Sequence, residues 1–289
     1  MPTLRVIRRR IRSIRNTAKI TRAMEMIATS KMRRTQLRVL AARPYAEKIR
    51  EVIAHLATLP PSEEGASLHP LLERRPVKRI AVVHITADRG LCGGLNSNMN
   101  RLTAGFIPEQ SAPVSVVAVG RKGRDFVHRA GHHLLAEFTN LGDRPSAADL
   151  GPISRIIIDD YISKEVDEVY LAYTRFVSTM TQRPIMEKLL PLEPPVDATP
   201  HGKEYIYEPA PQHVLAHLLP RYVEMLVYHA MLEAIASEQS ARMVAMRSAT
   251  DNANEMIQDL TLVYNKARQE AITKELLDLV GGAAVLEEK

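Results

Sequence analysis

The stretch AspArgGlyLeuCysGlyGlyLeuAsnSerAsn (88–98) brings together an acid, a cation, three glycines and the only cysteine of the chain. Glycines at a strand-to-helix junction suit a phosphate group, which needs backbone N–H donors at close range. This loop nevertheless lacks G-x-x-x-x-G-K-[ST], has no lysine after its glycines, and contains no G-x-G-x-x-G. On the residues alone, the glycines serve a sharp turn or the close approach of a partner's backbone, and nucleotide binding is disfavoured. Cys92 reads as an accessible loop thiol, but no positioned His–acid pair accompanies it, so a catalytic thiol is disfavoured too. Ten histidines are present, including the pair His132–His133, and none has H-E-x-x-H or another ligand spacing with a nearby carboxylate. AspAsp (159–160) opens no calcium loop and reads as the polar face of a helix. The expectation is no catalytic residue, no cofactor and no metal site.

Composition removes further classes. Hydrophobic residues at 45% and charged residues at 25% argue against wholesale disorder. Aromatics at 4%, with no Trp, disfavour an aromatic-lined pocket or a base-stacking platform. A single cysteine rules out an internal disulfide and a thiolate zinc site. No run of about 18 apolar residues is present, and MPTLRVIRRRIRSIRNTAKI at the N-terminus has no apolar signal region. A soluble protein of a reducing compartment is expected.

The net charge of +6 conceals an asymmetry: residues 1–57 carry 15 Lys+Arg against three acids (Glu25, Glu47 and Glu51), whereas residues 209–289 carry 7 against 11. The basic arm is therefore a partner surface or the solvated outside of a long helix. Clustered Lys and Arg also permit nucleic-acid binding. An apolar seam along the arm, the lack of an aromatic before Tyr45 and the absence of a DNA-binding motif argue against it.

Helix breakers define the elements that carry these groups. Before Gly65 the only prolines are Pro2, Pro44, Pro60 and Pro61, and between Arg221 and Val280 there is neither Gly nor Pro. Two long helices flanking a punctuated centre follow, with segments 1–58, 59–208 and 209–289. Alternating steps of four and three from Ile7 pass through Ile11, Ile14, Ala18, Thr21, Glu25, Ala28 and Met32, and continue to Leu56, meeting twelve apolar residues in fifteen. The same walk from Leu218 through His229, Gln239, Met246 and Thr250 to Ala271 gives a second, weaker seam, in which His229 reads as a packed polar residue. Two such helices are expected to pair, with bends at Pro44 and Pro220. Unbroken, they would reach roughly 80 and 100 Å, an unusual shape for an enzyme.

The centre reads as strand 79–85, a helix from about Leu95, strand 114–119, a helix around Gly123–Ala130, a helix over 154–162, strand 168–176 and a last strand through Pro184–Leu190. Alternating strands and helices predict a Rossmann-like α/β layer with parallel pairing. The fold class is therefore α/β, a long antiparallel coiled coil of the terminal helices plus that central domain.

Four strings carry a resemblance: AlaLysIleThrArgAlaMetGluMetIleAlaThrSerLysMetArgArg (18–34), IleThrAlaAspArgGlyLeuCysGlyGlyLeuAsn (85–96), SerGluGlnSerAlaArgMetValAlaMetArgSerAlaThrAspAsnAla (237–253) and ValTyrAsnLysAlaArgGlnGluAlaIleThrLysGluLeuLeuAspLeuValGlyGlyAla (263–283). In this order they resemble the γ subunits of F-type ATP synthases. The resemblance implies a non-catalytic central-stalk rotor that couples proton flow through the c-ring to ATP synthesis on the β subunits. It also implies partners: the α and β subunits, the ε subunit and the c-ring. The location implied is peripheral, on the cytoplasmic face of a bacterial membrane, although a processed organelle chain would look similar.

Matched positions give the candidate contacts. Arg268, Gln269 and Thr273 resemble β-contacting positions of the upper shaft, and Met24 resembles a position near a β loop. Arg89 and Cys92 lie in a loop resembling a second β-facing contact, and Tyr205, Tyr207 and Glu208 resemble the segment that meets the c-ring. Solvated helix positions, or core packing for Met24, are the plain alternatives. Pro220 and the charged tail LeuGluGluLys (286–289) depart from the family pattern.

Overall fold

The structure is a computed structural model that describes residues 3–58, 69–193, 208 and 211–287. Its elements are α1 (Leu4–Thr58), a 3₁₀ turn (Pro70–Leu72), β1 (Ile80–Ile85), α2 (Leu95–Glu109), β2 (Val114–Val119), α3 (Arg121–Ala130), β3 (His133–Phe138), α4 (Ala147–Ile162), β4 (Glu168–Phe176), β5 (Gln182–Leu190) and α5 (Pro211–Glu287). The chain divides into two compact units, a helical unit of Met1–Ile27 with Met243–Lys289 and a sheet unit of Ala28–Arg242.

In the sheet unit the strand order is β3-β2-β1-β4-β5. β1 pairs parallel with β2 and β4, and β2 pairs parallel with β3. Strand order reverses at β1, which gives the doubly wound arrangement expected from strands alternating with helices. Every residue of β1 is buried because both faces are covered. Met99 of α2 packs with Ile80 and Val82 on one face. On the other, Ala81, Val83 and Ile85 meet Leu150, Ile153 and Ile157 of α4, Ile49 and Ile53 of α1, and Leu219, Val223 and Val227 of α5.

Three details depart from the sequence reading. β3 lies outside the expected strands: it is an edge strand in which exposed and half-buried residues alternate, so its short HisLeuLeuAlaGluPhe carries no continuous apolar run. β5 runs antiparallel to β4 rather than extending the parallel set, because only residues 177–181 separate them, too few for a crossover. Pro184 is tolerated there because β5 is the other edge. α4 begins seven residues before the expected 154, at Ala147, behind a capping box in which Ser146 and Asp149 satisfy each other's backbone N–H groups.

Neither Pro44 nor Pro220 ends a helix; α1 and α5 continue through both. A helix-interior proline costs about 3 kcal/mol. Beside Pro220, Leu219, Val223 and Val227 are fully buried on the sheet, and each such side chain contributes about 1.5–3 kcal/mol. Burial outweighs the missing hydrogen bond. The last two tail residues lie outside the described residues.

In the helical unit the seam positions face inward. Ile7, Ala18, Thr21, Met246, Thr250 and Ala253 are buried, and Ile11, Ile14, Ile257, Leu260 and Tyr264 are half-buried. Thr21 Oγ1 lies 2.7 Å from Thr250 Oγ1, Arg8 donates to the Tyr264 hydroxyl, and Arg247 sits 4.0 Å from Glu25. As α1 ascends in number its partners on α5 descend, so the pairing is antiparallel.

Candidate functional site

A doubly wound sheet binds ligands beyond the carboxyl ends of its parallel strands, where strand order reverses. Here that crevice is occupied by the chain itself. Met231, Ala234, Ile235 and Glu238 of α5 lie against Thr86, Gly120 and Thr174, leaving about 30 Å³, room for water but far below the few hundred Å³ of a typical ligand pocket.

The polar groups of the crevice are committed internally. Asp88 Oδ1 accepts from the Arg121 backbone N–H at 2.9 Å and Oδ2 from the Asn140 N–H at 3.0 Å. A carboxylate thus sits at the start of α3, where a phosphate would otherwise be favoured. Thr86 Oγ1 accepts from the Gly123 N–H at 2.7 Å. Gly120 has φ 92°, and a Cβ there would lie 2.1 Å from the Thr86 carbonyl oxygen.

The loop 88–94 is held on two sides. Cys92 is not the accessible thiol expected from its loop position. It is 2% exposed, and its Sγ accepts from Asn96 Nδ2 at 3.2 Å while Asn96 Oδ1 accepts the Ala87 N–H at 3.1 Å. Burial pushes its thiol pKa up, and the nearby Glu238 charge adds to this, so the thiolate is disfavoured. Arg242 donates to the Gly90 carbonyl at 3.3 Å and to Glu238 Oε1 at 2.6 Å. Burial raises the Glu238 carboxyl, against the lowering effect of Arg242. With its base fastened, the loop leaves Arg89 and Leu91 exposed, Leu91 in the left-handed region at φ 65°.

The other candidate positions fall into two groups. Arg268, Gln269 and Thr273 are exposed on α5, and Gln269 and Thr273, four residues apart, line one shallow groove together with Leu277. Arg268 is outside that groove. Met24 is half-buried on α1, and His229, expected to be a packed polar residue, is half-buried with Nε2 4.0 Å from Glu233 Oε1. Glu208 is exposed, whereas Tyr205 and Tyr207 lie outside the described residues. Reasoning from sequence missed Asp88 and Arg242. The Glu238–Arg242 spacing is a legible helix pair, but the reach of Arg242 to Gly90 joins positions far apart in the chain.

A family model described as ATP synthase matches residues 3–286. The chain is 66% identical over 287 residues to the ATP synthase gamma chain of Dehalococcoides mccartyi strain CBDB1, covering 99% of this chain and 100% of that one. The chain belongs to the ATP synthase gamma-chain family. The gamma chain of Desulfitobacterium hafniense is 50% identical over 287 residues, with 99% and 100% coverage. Among solved structures, the central stalk and c-ring assembly of Tetrahymena thermophila mitochondrial ATP synthase matches with TM-score 0.59 and 24% identity over 80% of this chain and 99% of that one. The rotor of the Euglena gracilis enzyme matches with TM-score 0.65 and 18% identity over 93% and 98%. At these identities the likeness concerns the fold. As a gamma chain, the protein is a non-catalytic subunit of ATP synthase.

Proposed function

We propose that this chain is the central-stalk rotor of an F-type, proton-translocating ATP synthase, coupling proton flow through a c-ring to ATP synthesis on β subunits. The observation that carries the reading is the antiparallel pairing of the first and last helices through Thr21–Thr250 and Arg8–Tyr264. Two helices from opposite ends of a chain, joined along a seam, form an element that can transmit torque. The remainder of α5 supports it: Leu262, Leu276, Leu277, Leu279 and Val280 are exposed, more apolar surface than an isolated helix comfortably shows to water. A surrounding ring of α and β subunits is the covering partner in this reading.

Arg268, Gln269 and Thr273, with Met24 near a β loop, are the proposed upper contacts. Arg89 is the contact of the lower loop, with Cys92 as the buried anchor that holds it. Tyr205, Tyr207 and Glu208 are assigned to the c-ring, and the ε subunit to the sheet-bearing segment 59–208 between the helical segments 1–58 and 209–289. Among the described residues no helix is long and apolar enough to cross a membrane, and attachment through the c-ring on the cytoplasmic face of a bacterial membrane is proposed. The test is reconstitution with purified α and β subunits. A stable complex whose sustained ATPase requires this chain supports the reading; no association with partners shown to be competent overturns it.

A further inference from the structure

The seam of the helical unit contains one buried layer in which both helices contribute a hydroxyl. Thr21 and Thr250 are each 8% exposed, with their Oγ1 atoms 2.7 Å apart. Each also lies near a carbonyl of its own helix, Thr21 Oγ1 3.1 Å from Ala18 O and Thr250 Oγ1 2.9 Å from Met246 O. Two hydroxyls own two hydrogens. When one is donated across the seam, the other goes to a carbonyl of its own helix, so no buried donor is stranded.

The layers on one side of this pair are small or aliphatic. With Thr21 opposite Thr250, equal steps along the two seams place Ala18 beside Ala253 and Ile14 beside Ile257. Such layers pack by shape alone and tolerate a slide of one seam step. The hydroxyl layer does not: in the slide that brings Thr21 to Met246, Thr250 faces Ala18, and neither offers a comparable side-chain partner. Each threonine would fall back on its own helix, and the bond across the seam would be lost. The other cross-seam contacts, Arg8–Tyr264 and Arg247–Glu25, use a long flexible guanidinium that can follow a shift. A hydroxyl on Cβ cannot.

We propose that the Thr21–Thr250 pair is the register lock of the helical unit, a positioning device that fixes α1 axially against α5. A polar layer set among mostly apolar ones is a known way to specify register in paired helices. The lock rests on the rotor reading for its use, since a shaft whose helices slide past each other dissipates torque. Its existence is tested on the full chain alone, so failure of the lock and failure of the rotor reading are separable.

The experiment times disulfide closure in the purified full chain. Ala18→Cys with Ala253→Cys reports the native register, and Ile14→Cys with Ala253→Cys reports the one-step slide that brings Thr21 to Met246; the buried Cys92 is retained and checked in the chain without added cysteines. Replacing both threonines by valine keeps the shape of the layer. The Thr21→Val, Thr250→Val chain is expected to close the shifted pair about fivefold faster, the factor corresponding to one net hydrogen bond of about 1 kcal/mol, with an unchanged melting temperature and native-pair rate. Thr21→Ser with Thr250→Ser is expected to restore the slow shifted closure. Unchanged shifted closure in the valine chain overturns the lock. So does faster closure of both pairs with a lowered melting temperature, which is general loosening.

Discussion

Arg75 Nε donates to Asp167 Oδ1 at 2.7 Å, with the two side chains only 10% and 9% exposed. The same guanidinium donates to the carbonyls of Tyr161 and Val166 and lies 4.3 Å from the Tyr161 ring centroid. Asp167 Oδ2 accepts the backbone N–H groups of Lys78 and Arg79 at 2.8 and 3.0 Å. One buried ion pair thus ties the segment entering β1 to the turn between α4 and β4. Removing one partner strands the other charge, so Asp167→Ala is expected to cost about 3–5 kcal/mol, and Asp167→Asn less. Urea unfolding midpoints with unchanged slope measure both.

Asp167 also contributes an acid limb to stability. Burial acts to raise its carboxyl, but the Lys78 and Arg79 N–H groups and Arg75 outweigh this and hold it below 3.8. A depressed native pKa stabilises above the unfolded value and is lost as pH falls through the native one. This loss belongs below about pH 4.

His84 governs the range above. It is fully buried, with Nε2 2.9 Å from Asn100 Oδ1 and Nδ1 2.9 Å from Thr103 Oγ1. Burial lowers its pKa from 6.5 to about 4, against the raising effect of Asn100. Below pH 6.5 the unfolded chain takes up a proton that the native ring refuses, so stability declines as pH falls from 6.5 towards 4. The full effect is on the order of 3 kcal/mol. His84→Gln is expected to flatten that limb of the stability–pH curve while retaining the limb below pH 4. A slope that persists in the variant would assign the limb to other groups.

Two glycines separate backbone need from loop tolerance. Gly120→Ala is expected to lose more than the roughly 1–3 kcal/mol of conformational strain, because its Cβ would lie 2.1 Å from the Thr86 carbonyl. Gly90→Ala meets nothing within 4 Å and has an ordinary negative φ, and should unfold within about 0.5 kcal/mol of the parent. Thermal unfolding of the two variants side by side checks the contrast.

Gln269 is exposed on α5, next to Thr273 in the shallow groove. As a proposed β contact, Gln269→Leu is expected to impair assembly or coupled turnover while leaving helicity and melting temperature unchanged. Circular dichroism of the chain and ATPase of the reconstituted complex separate the two. Wild-type assembly and turnover would remove Gln269 from the contact set.

The helical seams were legible residue by residue. Apolar and small side chains recurring by fours and threes mark a buried stripe, and every described position on both walks is buried or half-buried, including the polar Thr21, Thr35, Gln239 and Thr250. The central strands β1 and β2 were legible because burial on both faces selects Ile, Val and Ala runs, and β4 because its Val, Leu and Tyr residues are strand formers. β3 was not, since an edge strand with a half-solvated pattern imposes weak demands on its residues. Gly151 and Pro152 lie just before the expected start of α4 and are weak helix formers by type, yet both sit within the helix behind its capping box. The loop 88–94 was visible as a glycine-rich turn; its clamping by Arg242 and the burial of Cys92 depend on α5, which arrives from the far end of the chain. The candidate contact positions came from motif resemblance, because an exposed Gln or Thr on a helix carries no physical signature of its partner.

The most direct test of the rotor reading is rotation itself. Met180, 76% exposed at the β4–β5 turn, would be replaced by cysteine and coupled to a gold particle, with this chain assembled into a complex whose α and β subunits are fixed to a surface. On addition of Mg-ATP the particle is expected to rotate continuously in one direction and to stop when nucleotide is withdrawn. Sustained ATP hydrolysis by the same immobilised complexes, with a firmly attached particle that only fluctuates about one angle, would contradict the assignment of this chain as the rotor.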